Sequence, residues 1–373
     1  MTNAQTEPGS HSSARAGVSR FLARDQEASS SPPRSGFSIA RALRTGLVTG
    51  LLFAMMLSAS AFIALGGEVA FLTAQSTTSL SASEDERLSE INRLIDAGDL
   101  TAARQMLADE VASRGETHQT FFLEAKILFR EGKYRESLKT LERALSLNQR
   151  DAEVYKLVAS NAILVNRMDI AEQALKNASQ LAPADYTIYF NLGALYYTDS
   201  RFPSALPVLE KSATLNPDYV PAQLFLGLTL EELDQEQSAA DCYRRAIELA
   251  ERSGFKGEQP YLYLGRLLYR QNKLDESLPN LQKATKANPQ SCEGWCLLAR
   301  IYSAQGQETD SVAALNQCIQ ADPKYSEAHY LLSRAYVKQG QAEAAAKELS
   351  LFQELRKTEQ NRKDPRKNQR ANQ

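Results

Sequence analysis

The chain predicts an all-α protein: a solenoid of helix–turn–helix repeats, preceded by one transmembrane helix. Three observations lead there. Apolar residues recur at helical spacing in paired segments, and small residues recur every 34 positions. One uncharged run of 23 residues, 45–67, stands near the N-terminus.

The pair at 184–218 shows the unit most clearly. Tyr189, Leu192, Gly193 and Tyr196 share one helical face, and a polar break follows from Thr198 to Arg201. A second pattern carries Phe202, Ala205 and Leu209, and Asn216-Pro217 closes it. One such pair is too small to bury its own apolar face. Stepping by 34 residues from Gly193 reaches Ala125, Ala159 and Gly227; after a four-residue insertion the register resumes at Gly265, Ala299 and Ser333. All are small, as closely crossing helices require. Period and pattern resemble the tetratricopeptide repeat, of the membrane-anchored bacterial type. That resemblance implies a right-handed superhelical solenoid with a concave binding face.

The N-terminal 1–44 are rich in Ser, Ala, Arg and Pro, so a disordered cytoplasmic leader is expected. Arg41 and Arg44 flank the apolar run 45–67, and acids rather than bases follow it up to Arg87. The positive-inside bias puts the N-terminus in the cytoplasm and the repeats outside, in the periplasm. A cleaved signal peptide ending at Ala59-Ser60-Ala61 is the alternative, leaving a secreted or periplasmic protein. Gly46, Gly50, Ala54 and Ser58 recur every fourth residue, a stripe that would let two anchors dimerise.

Residues 68–83 read as a linker, and 84–356 as an array of about eight repeats with a C-terminal capping helix. Ile91, Leu94, Gly98, Leu100, Ala103 and Leu107 form a divergent first repeat; seven clearer ones start near His118, Ala152, Tyr186, Val220, Glu258, Cys292 and Ser326. Leu192, Leu226, Leu264, Leu298 and Leu332 align on the first helices. Leu141, Leu175, Leu209, Leu281, Leu315 and Leu349 align with Tyr243 on the second. Glu124 breaks the leucine column, and the segment 252–259 carries the insertion, lengthening a helix or its exit loop. Pro207 and Pro279 fall inside second helices and predict mild bends. Leu351, Phe352 and Leu355 extend the last helix over the open core, and 357–373 read as a basic disordered tail.

The termini 1–44 and 357–373 carry +3 and +4, which leaves −9 for the middle of a chain whose total is −2. A nucleic-acid face on the array is therefore not expected. Cys242, Cys292, Cys296 and Cys318 lack a second close pair or a nearby His, and read as small core residues rather than metal ligands. No phosphate loop or nucleophile motif is present, so neither an enzyme nor a cofactor is expected.

The inner arc of the first helices carries the functional expectation. It collects Phe122, Phe129, Phe190, Tyr197, Leu224, Leu262, Tyr269 and Tyr330. Arg266, Arg300 and Arg334 step by 34 along it, with Arg270 and Lys338 beside them, while Glu231 and Glu232 interrupt it. Aromatics with an arginine ladder suit an extended peptide rich in carboxylates or carbonyls. Lys156 and Asn191 match two columns of the two-carboxylate clamp of co-chaperone repeats. Ser160 and Pro221 break two others, so that clamp is not assigned. The function expected is a membrane-anchored scaffold binding a protein or peptide partner. The alternative is a non-catalytic accessory or recruiting subunit of an enzyme complex.

Overall fold

The computed structural model describes residues 86–363, and every regular element among them is an α-helix. The helices pair in sequence. The first pair is α1 (86–97) with α2 (Leu100–Arg114), then α3 (His118–Arg130) with α4 (Tyr134–Leu147), and α5 (Ala152–Leu164) with α6 (Met168–Leu181). Next come α7 (Tyr186–Thr198) with α8 (Phe202–Leu215), α9 (Val220–Glu232) with α10 (Glu236–Ser253), and α11 (Gln259–Arg270) with α12 (Leu274–Ala287). The last two pairs are α13 (Cys292–Ala304) with α14 (Glu308–Ala321), and α15 (Ser326–Lys338) with α16 (Ala342–Lys363). The chain divides into two compact units after Ala184, the first holding α1–α6 and the second α7–α16.

Six of the seven expected repeat starts coincide with the first residue of a helix, and the seventh lies one residue on, at Gln259. The reason is local. Each turn between the helices of a pair places one residue in the left-handed region: Gly98, Gly132, Asn166, Ser200, Asp234, Asn272, Gly306 and Gly340, with φ between 57° and 83°. Behind that residue the chain bonds back into the helix. In the second pair Gly132 N–H donates to Phe129 O at 3.0 Å and Lys133 N–H to Leu128 O at 2.9 Å. This is a Schellman closure, which satisfies two otherwise orphaned carbonyls.

Within each unit the pairs stack through the columns read from the sequence. Leu141 and Leu175 in the first unit, and Leu209, Tyr243, Leu281 and Leu315 in the second, are wholly buried against the small residue of their own pair. A Cβ on Gly193 would stand 2.5 Å from Leu209 Cδ2, and one on Gly265 would stand 2.7 Å from Leu281 Cγ. At these two crossings a Cβ would force the leucine to shift. Leu349 departs from its column at 39% exposure, because among the described residues no further first helix packs over α16.

The four-residue insertion goes entirely into a helix: α10 has 18 residues where α8 and α12 have 14, and Gly254 ends it at φ 74°. Helices α8 and α12 run unbroken through Pro207 and Pro279. The last helix reaches Lys363, so residues 357–363 of the expected tail are helical. No Pro or Gly interrupts the chain from Ala342 until Pro365, and the stretch is rich in helix formers. Among the described residues no helix is long and apolar enough to cross a membrane. The leader 1–44, the run 45–67 and the linker 68–83 lie outside the described residues.

Candidate functional site

The ten expected groove residues divide between the two units. In the first, Phe122 is half-buried against the core around Phe121, Ala125 and Leu141, and Phe129 packs edge-on to Tyr134 at 5.6 Å. The other eight lie in the second unit. Phe190 is a correction: at 1% exposure it is core, its ring edge-on to Tyr219 at 5.2 Å and Phe225 at 5.3 Å. Leu224 and Leu262 of the same column are buried too. The position three before the small residue is thus buried in α7, α9 and α11, while at the same position Phe122 of α3 is half-buried and Tyr330 of α15 is 37% exposed. The positions one, four and five after the small residue make up the rest of the inner face. Tyr197 sits on that face, half-buried against Phe202 and Phe225, and burial raises its hydroxyl well above the usual phenol range.

The arginines differ from one rung to the next. Arg266 on α11 reaches Glu231 of α9 at 3.4 Å and Glu293 of α13 at 3.3 Å, and its guanidinium lies 5.0 Å from the Tyr263 ring. Burial alone would weaken its hold on the proton; Glu293 and Glu231 outweigh burial and strengthen it. Glu231 is itself buried. It accepts from Tyr243 Oη and from Arg270 Nη1, the latter at 2.7 Å, and Arg270 also reaches Glu236 at 3.1 Å. Burial, with Glu231 second, holds the Tyr243 hydroxyl neutral far past its ordinary range. These six groups form one network of ion pairs and hydrogen bonds through the middle of the unit.

Arg300 donates to Glu327 at 2.7 Å. Glu293 and Glu327 each stand 27 residues past an arginine, at the second position of the following first helix. The ladder thus staples neighbouring pairs. That signal was legible, since Glu293 and Glu327 are themselves 34 apart. Arg334 breaks the series: Asn361, uncharged, occupies the place 27 residues on. Arg334 is exposed, lies 5.9 Å from the Tyr330 ring, and has no carboxylate partner among the described residues. Tyr330 is 37% exposed and rests on Phe352 of α16 at 5.2 Å.

A cavity of about 220 Å³ opens here, lined by Tyr269, Arg300, Ser303, Arg334 and Lys338 among others. Lys338 is tied to Glu308 at 2.8 Å and Val337 beside it is 66% exposed. The floor thus offers one aromatic ring, one unpaired guanidinium and an apolar rim. Among the described residues no group of three or more His, Cys, Asp or Glu is placed to hold a metal. Cys292, Cys296 and Cys318 are free thiols buried in the apolar core between α13 and α14.

Three family models described as tetratricopeptide repeat match residues 118–151 and 220–253, 165–220 and 262–325, and 304–360. Together they span more than half of the chain. It belongs to the tetratricopeptide-repeat family. Among curated relatives, the BBSome complex member BBS4 homolog of Drosophila melanogaster is 20% identical over 53% of this chain and 49% of its own. The anaphase-promoting complex subunit CDC16 of Saccharomyces cerevisiae is 25% identical over 36% of this chain and 16% of its own. The chain thus spans about half the length of the first and far less of the second. The crystal structure of the Cut9–Hcn1 hetero-tetramer aligns over 66% of this chain and 48% of that one, with a TM-score of 0.53 and 16% identity. PilF of Pseudomonas aeruginosa aligns over 57% of this chain and 94% of its own, with a TM-score of 0.50 and 15% identity. These likenesses establish the fold.

Proposed function

We propose that this tetratricopeptide-repeat protein is a non-catalytic scaffold whose second unit holds an acidic, extended segment of a partner protein against Tyr269, Arg300 and Arg334. The carrying observation is Arg334, exposed beside a cavity of about 220 Å³ and without a carboxylate partner among the described residues. Arg300 lies next to it, engaged with one partly exposed Glu327 that a stronger acceptor can displace. A charge-assisted hydrogen bond contributes roughly 1.5–3 kcal/mol, so the two arginines suffice for more than a tenfold preference for an anionic segment.

The test begins with a photo-crosslinking residue at Val337 to capture the partner, which is then purified. Replacing Arg300 and Arg334 together by Ala should weaken its binding at least tenfold and flatten the salt dependence, with helicity unchanged. Unchanged affinity would remove the proposal.

A second reading, an accessory subunit that recruits substrate to a separate catalytic chain, is favoured by the names of two relatives as members of multi-protein complexes. An accessory raises its partner's turnover, whereas a scaffold alone does not. We further propose membrane anchoring through 45–67 with the repeats outside the cytoplasm, supported by Arg41 and Arg44 before the run and acids after it. A reporter fused after Gln373 should then be active only outside the cytoplasm and remain in the membrane fraction. A soluble product starting near Phe62 would establish cleavage instead.

A further inference from the structure

Three of the four cysteines lie in one helix pair. Cys292 is the first residue of α13, Cys296 follows one turn later, and Cys318 stands on α14. The repeat columns carry other residues at these places. Ala144, Ala178, Ala246 and Ala284 stand where Cys318 does, and Phe190, Leu224 and Leu262 where Cys296 does. The columns of Cys292 and Cys318 come together in another pair as well, where Ser212 on α8 donates to Tyr186 O on α7 at 3.0 Å.

The three thiols are in contact. Cys292 Sγ donates to Cys318 O at 3.1 Å, and the Cys318 thiol is within hydrogen-bond reach of those of Cys292 and Cys296. All three are free and buried, but not equally: Cys292 is 7% exposed, Cys296 2% and Cys318 0%. An incoming oxidant therefore meets Cys292 first. A thiolate is the attacking species, and Cys292 is set up to form it. The Cys318 hydrogen bond lowers the Cys292 thiol below its ordinary range, outweighing burial, and the first turn of a helix favours negative charge. Its contacts with Cys292 and Cys296, together with burial, hold Cys318 protonated past its ordinary range.

We propose that Cys292 and Cys318 are a thiol–disulfide site, which an oxidised dithiol or oxidised glutathione closes into a covalent link between α13 and α14. The Cys292 thiolate attacks one sulfur of the oxidant's disulfide and displaces the other as a thiolate. That thiolate takes the Cys318 proton. Cys318 Sγ then attacks Cys292 Sγ in the mixed disulfide and expels the oxidant's second sulfur, which takes up the proton that Cys292 released. The two cysteines lose two electrons and two protons, and the oxidant leaves as two thiols. Cys296 stays a thiol. The link joins residues 26 apart and holds closed the pair that carries Arg300. Repeats outside the cytoplasm would meet such oxidants, but the chemistry does not depend on that placement or on what the inner face binds.

The full chain, reduced and freed of reductant, is incubated without denaturant in oxidised glutathione, then alkylated and mapped by mass spectrometry. The expected product has lost two hydrogens and yields a linked Cys292–Cys318 peptide, with Cys296 alkylated. Cys318→Ala, which installs the residue of the equivalent column elsewhere, should stop at a glutathione adduct on Cys292. Cys292→Ser should slow oxidation of Cys318 at least tenfold, and Cys296→Ser should leave the bond and its rate of formation unchanged. Alkylation of all three thiols after oxidation overturns the proposal, as does a bond that forms only in urea. A parent protein that stops at the Cys292 adduct, or that links Cys318 to Cys296 instead, overturns it too.

Discussion

Gly227→Ala should destabilise the second unit by about 1–2 kcal/mol. A Cβ at this position would lie 2.8 Å from Tyr243 Cδ1 and 2.9 Å from Cζ, and closer still to Cε1. The Tyr243 ring cannot yield cheaply. It is wholly buried, 5.8 Å from the Tyr263 ring, and its hydroxyl is bonded to the buried Glu231. Tilting the ring breaks a hydrogen bond to a charged acceptor, worth about 1.5–3 kcal/mol. Parting the helices instead is overpacking, at about 1–3 kcal/mol. Alanine's better helix propensity returns about 0.5–1 kcal/mol, so the clash wins. The companion variant is Tyr243→Leu, which recreates the Ala–Leu pairing of Ala125 with Leu141 and Ala299 with Leu315. In that background Gly227→Ala should be neutral or stabilising, a coupling of about 1–3 kcal/mol. Hydrogen exchange is the suitable assay, because repeat arrays open locally rather than in one step. The loss should centre on α9 and α10 and fade along the unit. A Gly227→Ala cost below about 0.5 kcal/mol, or the same cost in both backgrounds, would refute the reasoning.

Two further outcomes separate structure from binding. Arg266→Ala should cost about 2 kcal/mol in urea unfolding, because it leaves the buried Glu231 short of a partner. Arg334→Ala should stay within about 0.5 kcal/mol, since nothing inside the unit depends on it; equal costs would mean that Arg334 also staples the fold. Ser200→Asn should raise stability by about 0.5 kcal/mol, because Asn tolerates the left-handed turn that Ser200 adopts at φ 58° and that Asn166 and Asn272 already occupy. A loss would show that the serine is comfortable there.

The expected and observed architectures agree where local chemistry decides. Helix starts, turn positions and the pairing of helices depend on residues a few positions apart, and a 34-residue register repeats each signal until it is unambiguous. The four-residue insertion was legible as an event. That it would lengthen α10, rather than the loop after it, rested on where Gly254 could stop the helix. Helix α16 continues to Lys363, past the start of the expected tail at 357, because charge and low apolarity describe a solvated helix as well as a disordered tail.

The sequence by itself determined which positions face the core of a pair, and for that periodicity suffices. Only the tertiary structure decided what the remaining polar and aromatic positions do. Phe190 and Tyr197 are seven residues, nearly two helical turns, apart, yet one is buried core and the other half-exposed. Phe225 packs edge-on against both rings, and Tyr219 closes over that of Phe190. Arg266 and Arg334 hold equivalent positions, yet the first is locked between two carboxylates and the second is left open. A repeat places each side chain by its own helix, but its partners come from the helices before and after. Whether a given arginine is a staple or a binding group is therefore a property of neighbours, and it emerges only when the pairs are stacked.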